Sequence, residues 1–289
     1  MVPELAHSHG RSAGGRLGPW FGQVRAFASR YGRELFRNKA VLFWSLAFPV
    51  AFYLLTITVF VDTSSIPAEV LPYVKAGTAV SSGMFGAIIA SLNSFGQQLA
   101  ADFEADRYVQ YRSLPLAPSA DLVGRMAAGV VLSVVAFVAV VAVAALTGAT
   151  FGLRSAVSLP LSALAIVSFA VVWMTVAVLV ATLVKDTRYA SIITISIALG
   201  SYFLTGYNGT DPAAFQGPEA VLEWLPNTAA TRLVSHHVAA FPESLAESAA
   251  VLSVPGPLGA FAQMAVYGVL ALAAGVLLMR GVVYGGVGA

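Results

Sequence analysis

Residues 126–153 read MAAGVVLSVVAFVAVVAVAALTGATFGL, 28 residues without a charge between Arg125 and Arg154. About 20 apolar residues in helical form cross the hydrocarbon core of a bilayer, so this stretch alone is long enough to span a membrane. The pattern recurs on both sides of it. Lys39 to Asp62 encloses 22 uncharged residues, Lys75 to Asp102 encloses 26, Arg154 to Lys185 encloses 30, Arg188 to Asp211 encloses 22 and Glu247 to Arg280 encloses 32. In the last run Pro255, Gly256 and Pro257 place the helix start near Leu258. All are far too long for the alternating strands of a membrane barrel. The expectation is an all-α polytopic membrane protein with six transmembrane helices, at 40–61, 76–100, 126–147, 158–184, 189–206 and 258–279.

Composition agrees. Of 289 residues, 58% are hydrophobic and 10% charged, with mean hydropathy +0.79. That is less than half the charge of an average soluble protein, about 25%, and disfavours soluble enzymes, nucleic-acid binders and disordered chains. No nucleic-acid partner is expected. There is no cysteine, which removes disulfides and thiolate chemistry. The first apolar run starts too far in, and is too long, for a cleavable signal peptide.

The charges also give an orientation. With the N-terminus in the cytoplasm, 13 of the 16 basic residues fall on the inside, leaving Lys75, Arg154 and Arg232 outside. The 14 acidic residues divide equally. A bias of basic residues toward the cytoplasm is the topological rule, so a multi-pass protein of the cell membrane with both termini cytoplasmic is expected.

Outside the spans, residues 1–19 read as a flexible tail, in which His7 and His9 make no convincing metal site. Residues 20–39 are amphipathic. On a helical wheel Trp20, Val24, Phe27, Tyr31 and Leu35 fall within about 80° of one another, with Arg25, Arg30, Arg33 and Arg37 opposite. This suits an interfacial helix whose aromatic side enters the acyl boundary while its arginines meet anionic headgroups; a basic stretch serving topology alone is the simpler alternative.

The segment 100–125 mixes Asp102, Glu104, Asp106, Arg107 and Arg112 with Phe103, Tyr108, Tyr111 and Leu114. Aromatics for burial and charges for register suit a docking surface, although a plain helical extension with internal ion pairs would read similarly. Pro115 should end any helix near Ser113. The external segment 207–257 is too apolar for a free loop and has two expected short helices, Ala213–Trp224 and Thr228–Ala239. In the second span Thr78, Ser82, Gly86, Asn93 and Gln97 form a polar stripe that can line a pathway or hydrogen-bond a neighbouring helix.

Several chemistries have no sequence support. GxxxxGK[ST], HExxH and GxSxG are missing, and no charge sits at the centre of a span. No catalytic, cofactor-binding or metal residue is expected. The adjacent His236 and His237 point about 100° apart on a helix, poor geometry for one metal. A lipid-modifying membrane enzyme using His236, His237, Glu243 and Glu247 is the alternative from another class, and a non-catalytic membrane assembly protein is a third.

From about Trp20 to Arg280 the arrangement resembles the permease subunit of ABC-2 type exporters. The carrying features are the basic amphipathic helix Trp20–Lys39, the acidic stretch Asp102–Arg107 with its Ser113-Leu-Pro-Leu-Ala-Pro118 turn, and the external Leu225-Pro-Asn-Thr228 with Arg232. Members commonly have Glu-Arg/Lys-Glu followed by Gly in the loop, where this chain reads Glu104-Ala-Asp106-Arg-Tyr108. The resemblance implies that Trp20–Lys39 is a connecting helix along the membrane and that the 100–125 loop docks on a separate ATPase. It also implies two ATPase copies, a second permease copy or paralogue, and ATP and Mg bound only by the partner. The substrate class it implies is hydrophobic or amphipathic: drug, lipid or glycan precursor.

Overall fold

The computed structural model describes residues 14–184, 186–204, 219–239 and 257–285. Among these there is no strand, only an isolated bridge between Gly152 and Ala239. Ten helices are described. Helix α1 is Gly14–Arg37 and α2 Lys39–Phe60, separated by Asn38, whose Oδ1 accepts from the amides of Ala40 and Val41 at 3.0 and 3.3 Å and caps α2. Then follow α3, Leu71–Glu104; α4, Arg107–Arg112; α5, Pro118–Leu146; α6, Ser158–Leu183; and α7, Thr187–Leu204. Last come α8, Glu219–Trp224; α9, Pro226–Val238; and α10, Leu258–Tyr284.

Five of these, α2, α3, α5, α6 and α10, are long and apolar enough to cross a membrane. The expected fifth span corresponds to α7, which does not meet that measure among the described residues because its 18 residues include Arg188 and several Ser, Thr and Tyr side chains. The chain is an all-α polytopic membrane protein.

Helix α3 is the axis. Its apolar window is entirely enclosed by the other helices, whereas the windows of α2 and α10 are 33% and 17% buried. Small residues allow this close approach: a Cβ on Gly86 would lie 3.2 Å from Pro49 of α2 and 3.3 Å from Ala136 of α5. Residues Ile89–Ser94 form a π-helical turn, so the uniform wheel that joined Thr78 to Gln97 loses phase there.

Helix α3 continues past Asp102 to Glu104, and α5 begins at Pro118, before Arg125. The connection expected over 100–125 therefore shrinks to 105–117, with α4 inside it. Paired charges explain this: Asp102 and Arg125 neutralise each other between helices and need not leave the protein body. Helix α4 ends at Arg112, three residues before Pro115.

The opposite end is stitched by hydrogen bonds between neutral groups or from cations to backbone carbonyls. Thr147 accepts the Lys75 ammonium on its carbonyl (2.8 Å), and its hydroxyl meets Tyr53 Oη at 3.0 Å. The amide of Gly152 donates to Val238 O at 2.9 Å. The expected helices at 213–224 and 228–239 are described from Glu219 onward, the second beginning at Pro226.

Candidate functional site: a buried charge cluster beneath the amphipathic helix

Helix α1 lies on α5 with almost no gap. A Cβ added to Gly124 would stand 2.6 Å from Phe27 Cβ and 2.7 Å from the Val24 carbonyl, so only glycine permits the crossing. The apolar side of α1 is consumed by this contact. Phe27, Tyr31 and Leu35 are buried with Val41, Ala90, Ala128 and Leu132. The expectation that this side enters the acyl boundary is corrected: a wheel identifies an apolar face but cannot tell lipid from protein as what covers it. Trp20 Nε1 donates to Ser119 Oγ at 3.1 Å. Gln23 clasps the turn before α5, donating to Pro115 O at 3.1 Å and accepting from the Ala117 amide at 2.9 Å.

Beneath α1 sits an ion-pair network that the sequence gives as scattered charges. Asp102, fully buried near the end of α3, is bonded by Arg125 and Arg107, receives the Tyr31 hydroxyl at 2.7 Å and lies 3.6 Å from Arg30. Arg125, 1% exposed, also pairs through Nε with Asp121 Oδ1 at 2.9 Å. Its guanidinium carbon stands 3.6 Å from the Tyr31 ring centre, which covers the face of the cation. Arg30 also pairs with Glu34 at 3.1 Å and bonds the Tyr111 hydroxyl. Three carboxylates thus meet three guanidiniums, joining α1, α3, α5 and the start of α4. Isolated buried ions are costly; here each finds opposite charge and hydrogen bonds.

The cluster reaches the end of α10. Asp121 accepts from Tyr108 at 3.3 Å and Tyr284 at 3.1 Å, and Arg112 donates twice to the Val283 carbonyl, at 3.1 and 2.7 Å. Burial pushes the Tyr31 and Tyr108 phenols above their usual range, so both remain proton donors at neutral pH.

The expected docking residues therefore separate into two groups. Asp102 and Tyr108 are buried, and Arg107 and Tyr111 half-buried, within the cluster. Glu104, Asp106, Arg112 and Leu114 are exposed, as is Val109. Glu104 accepts from the Thr187 amide at 2.7 Å, linking α3 to α7. Asp106, at φ 50°, makes the left-handed joint between α3 and α4, a conformation that Asp tolerates better than most residues. Of the α1 residues, Arg25, Arg33 and Arg37 remain exposed.

The polar stripe is enclosed along with α3. Thr78 bonds its own helix at Val74 O (2.9 Å), and Ser82 is buried. Asn93 Oδ1 accepts from Gln97 (2.7 Å) and Thr194 (3.2 Å), and Gln97 also donates to Ser191 at 3.0 Å. Asn93 and Gln97 thus bind α3 to α7.

Asp121, Arg125, Glu34, Gln23 and Tyr284 were not singled out from sequence. Asp121 and Arg125 carry one readable signal, an acid–base pair at i,i+4 with the acid nearer the helix N-terminus.

The sequence profile of the ABC-2 type transporter family matches residues 22–212, from α1 through α7. That is well over half of the chain. The chain belongs to the ABC-2 type transporter family. It is therefore the membrane-spanning, permease component of an ABC transporter, a component that normally pairs with an ABC ATPase and is generally non-catalytic. No individually curated protein matches the chain significantly.

The matched region of this ABC-2 protein contains all six ion-paired residues of the cluster. His236 and His237 lie beyond it. His237 Nδ1 is 3.1 Å from Ser158 Oγ, which is fully buried and already accepts from the Ser155 amide at 3.0 Å. This serine–histidine contact holds α6 to α9 and presents no accessible nucleophile. Glu243 and Glu247 lie outside the described residues, as do His7 and His9. Among the described residues no group of acids and histidines is arranged to hold a metal.

Proposed function

We propose that the chain is the six-span permease of an ATP-driven exporter in the cell membrane, both termini cytoplasmic, with α7 completing the spans. Two permeases, as homodimer or with a paralogue, act with two copies of a separate ATPase, which binds ATP and Mg. The pathway serves a hydrophobic or amphipathic molecule of the drug, lipid or glycan class. This chain performs no covalent step; the ATP cycle of the partner drives alternating access.

One observation carries the reading. Helix α4 is anchored on its inner side by Tyr108, Arg107 and Arg112, yet exposes Val109 (62%), with Asp106 exposed just before it and Leu114 (52%) just after it. A rigidly mounted apolar tip with charged neighbours is what a lever needs in order to receive force from a partner surface. Because Asp102 lies in the anchor, force at α4 is delivered directly to α3, the helix at the centre of the bundle.

The test uses exposed residues, since replacing the buried Tyr108 would test folding. Val109→Glu with Leu114→Glu, in the full chain co-expressed with its ATPase, should abolish co-purification of the ATPase and its stimulation by the permease. The melting temperature of the permease should be unchanged. A complex that persists with stimulation intact would remove α4 as the docking element.

A further inference from the structure

The arginines of α1 are not all used by the cluster. Arg33 and Arg37 are exposed and have no polar partner among the described residues. They are four residues apart on one face, where like charges repel, and with Arg30 and Asn38 they line a cavity of about 510 Å³. A second cavity of about 260 Å³ shares Glu34 and Asn38 with it and continues inward between α1, α3 and the start of α7. The polar lining of the second cavity is Asn38, Ser94, Gln97, Gln98 and Thr187, with Arg107 and with Glu34, whose carboxylate is engaged by Arg30 and Gln98. Several of their polar groups are unused. Thr187 Oγ1 is buried with no hydrogen-bond partner. The amide nitrogens of Gln97 and Gln98 are engaged, by Asn93, Ser191 and Glu34, which leaves their carbonyl oxygens open.

We propose that this cleft is a binding site for one anionic glycerophospholipid headgroup, its phosphodiester on Arg33 and Arg37 and its polyol end in the amide-lined crevice. Charge complementarity selects the ligand: two unpaired guanidiniums suit a phosphate in forked geometry, and the unused carbonyls and hydroxyl suit neutral hydroxyl groups. Location selects the lipid over a soluble phosphate. The cleft lies where α1 ends and α2 enters the apolar region at Lys39, beside the exposed Phe36, Phe43 and Trp44, and aromatic side chains at that level mark the headgroup layer. Basic residues placed just outside a span attract anionic lipid. The aromatic side of α1 being occupied by α5, this headgroup would be the contact through which α1 senses the bilayer. The inference stands whichever substrate the transporter moves.

The experiment measures lipid retention by the delipidated full-length chain in detergent, using native mass spectrometry with phosphatidylglycerol, phosphatidic acid and phosphatidylcholine. The chain should bind phosphatidylglycerol about tenfold or more tightly than phosphatidylcholine, as expected for two surface arginines. Arg33→Gln with Arg37→Gln should erase that preference at unchanged melting temperature, Arg33→Lys with Arg37→Lys should retain part of it, and Arg25→Gln, two turns away and lining neither cavity, should leave it intact. Thr187→Val should weaken phosphatidylglycerol but not phosphatidic acid, which lacks the polyol. Equal retention of the anionic and zwitterionic lipids, or a preference surviving the double glutamine variant, would overturn the site. Equal effects of Thr187→Val on both anionic lipids would overturn the crevice as the polyol's place. Complete displacement by soluble glycerophosphate at matched concentration would overturn the lipid as ligand.

Discussion

The two ends of the helix bundle are held by different chemistry. At the α1 end, Asp102, Asp121 and Arg125 are buried together against an amphipathic helix, with Arg30, Glu34 and Arg107 half-buried around them. At the other end, contacts are neutral or reach only backbone: Tyr53 to Thr147, Lys75 to the Thr147 carbonyl, Arg154 to the His236 carbonyl at 3.1 Å. A buried ion pair adds less net stability than its number of contacts suggests, but removing one partner is severe because the other is left charged and unpaired. The charged end is therefore the one that fails abruptly when altered. It ties α4 to α1, α3, α5 and α10, so under the proposed function it is also the end that must move as one piece. The neutral end can lose single bonds at modest cost.

The largest effect should follow Asp102→Ala, which removes the acceptor shared by Arg125, Arg107 and Tyr31, leaves Arg125 with Asp121 as its one carboxylate, and should cost about 3 kcal/mol. It would be read as a fall in thermal midpoint of the detergent-solubilised chain. Asp102→Val combined with Arg125→Met and Asp121→Leu, which removes the whole buried triad and leaves no carboxylate stranded, should recover much of that loss. A single variant as stable as the unaltered protein would make the two ends alike.

Gly124→Ala comes next. Its new Cβ meets backbone of α1, which cannot rotate away, and overpacking of this kind costs about 1–3 kcal/mol. Limited proteolysis should then cut within α1 while the spans stay protected. Gln23→Ala, losing both bonds to the turn at Pro115 and Ala117, should cost about 1 kcal/mol, seen as faster hydrogen exchange in α1.

The smallest effect belongs to the neutral end. Burial, followed by the nearby Arg154, holds the His237 imidazole below its usual pKa, so the folded protein favours the neutral ring. The unfolded chain binds the extra proton first as pH drops below about 6.5. The contribution of the ring to stability is therefore full above that pH and is lost as pH falls through the folded value. A small loss of thermal midpoint between pH 7 and 5 is expected, reduced in His237→Gln and reduced further when His236→Gln is added, since burial and Arg154 lower the His236 imidazole as well.

Much of the bundle was legible because charges are scarce: each long run between them contains most of one described helix, and α6 runs Ser158–Leu183 where 158–184 was expected. Charges mark where lipid contact must cease, however, not where a helix ends. That is why α3 overruns Asp102 and α5 starts ahead of Arg125. The cluster was hidden for a related reason. Asp102 and Arg125 are 23 residues apart in different helices, and no local period connects them. Asp106 in the left-handed joint and the π turn at Ile89–Ser94 are backbone events with no single-residue signal. The mixture of charges and aromatics in 100–125 was readable, but which of its members face inward depended on α1, whose apolar face the wheel assigned to lipid.

The central claim is that the charge cluster makes α1 and α4 one mechanical piece. The chain contains no cysteine, so spin labels can be placed without background at Ser29→Cys on α1 and Val109→Cys on α4, both exposed positions. Pulsed electron paramagnetic resonance should give a single narrow distance distribution in the otherwise unaltered protein and a broad one when Arg125→Gln is added. A distribution that stays equally narrow in the Arg125→Gln protein would contradict the account.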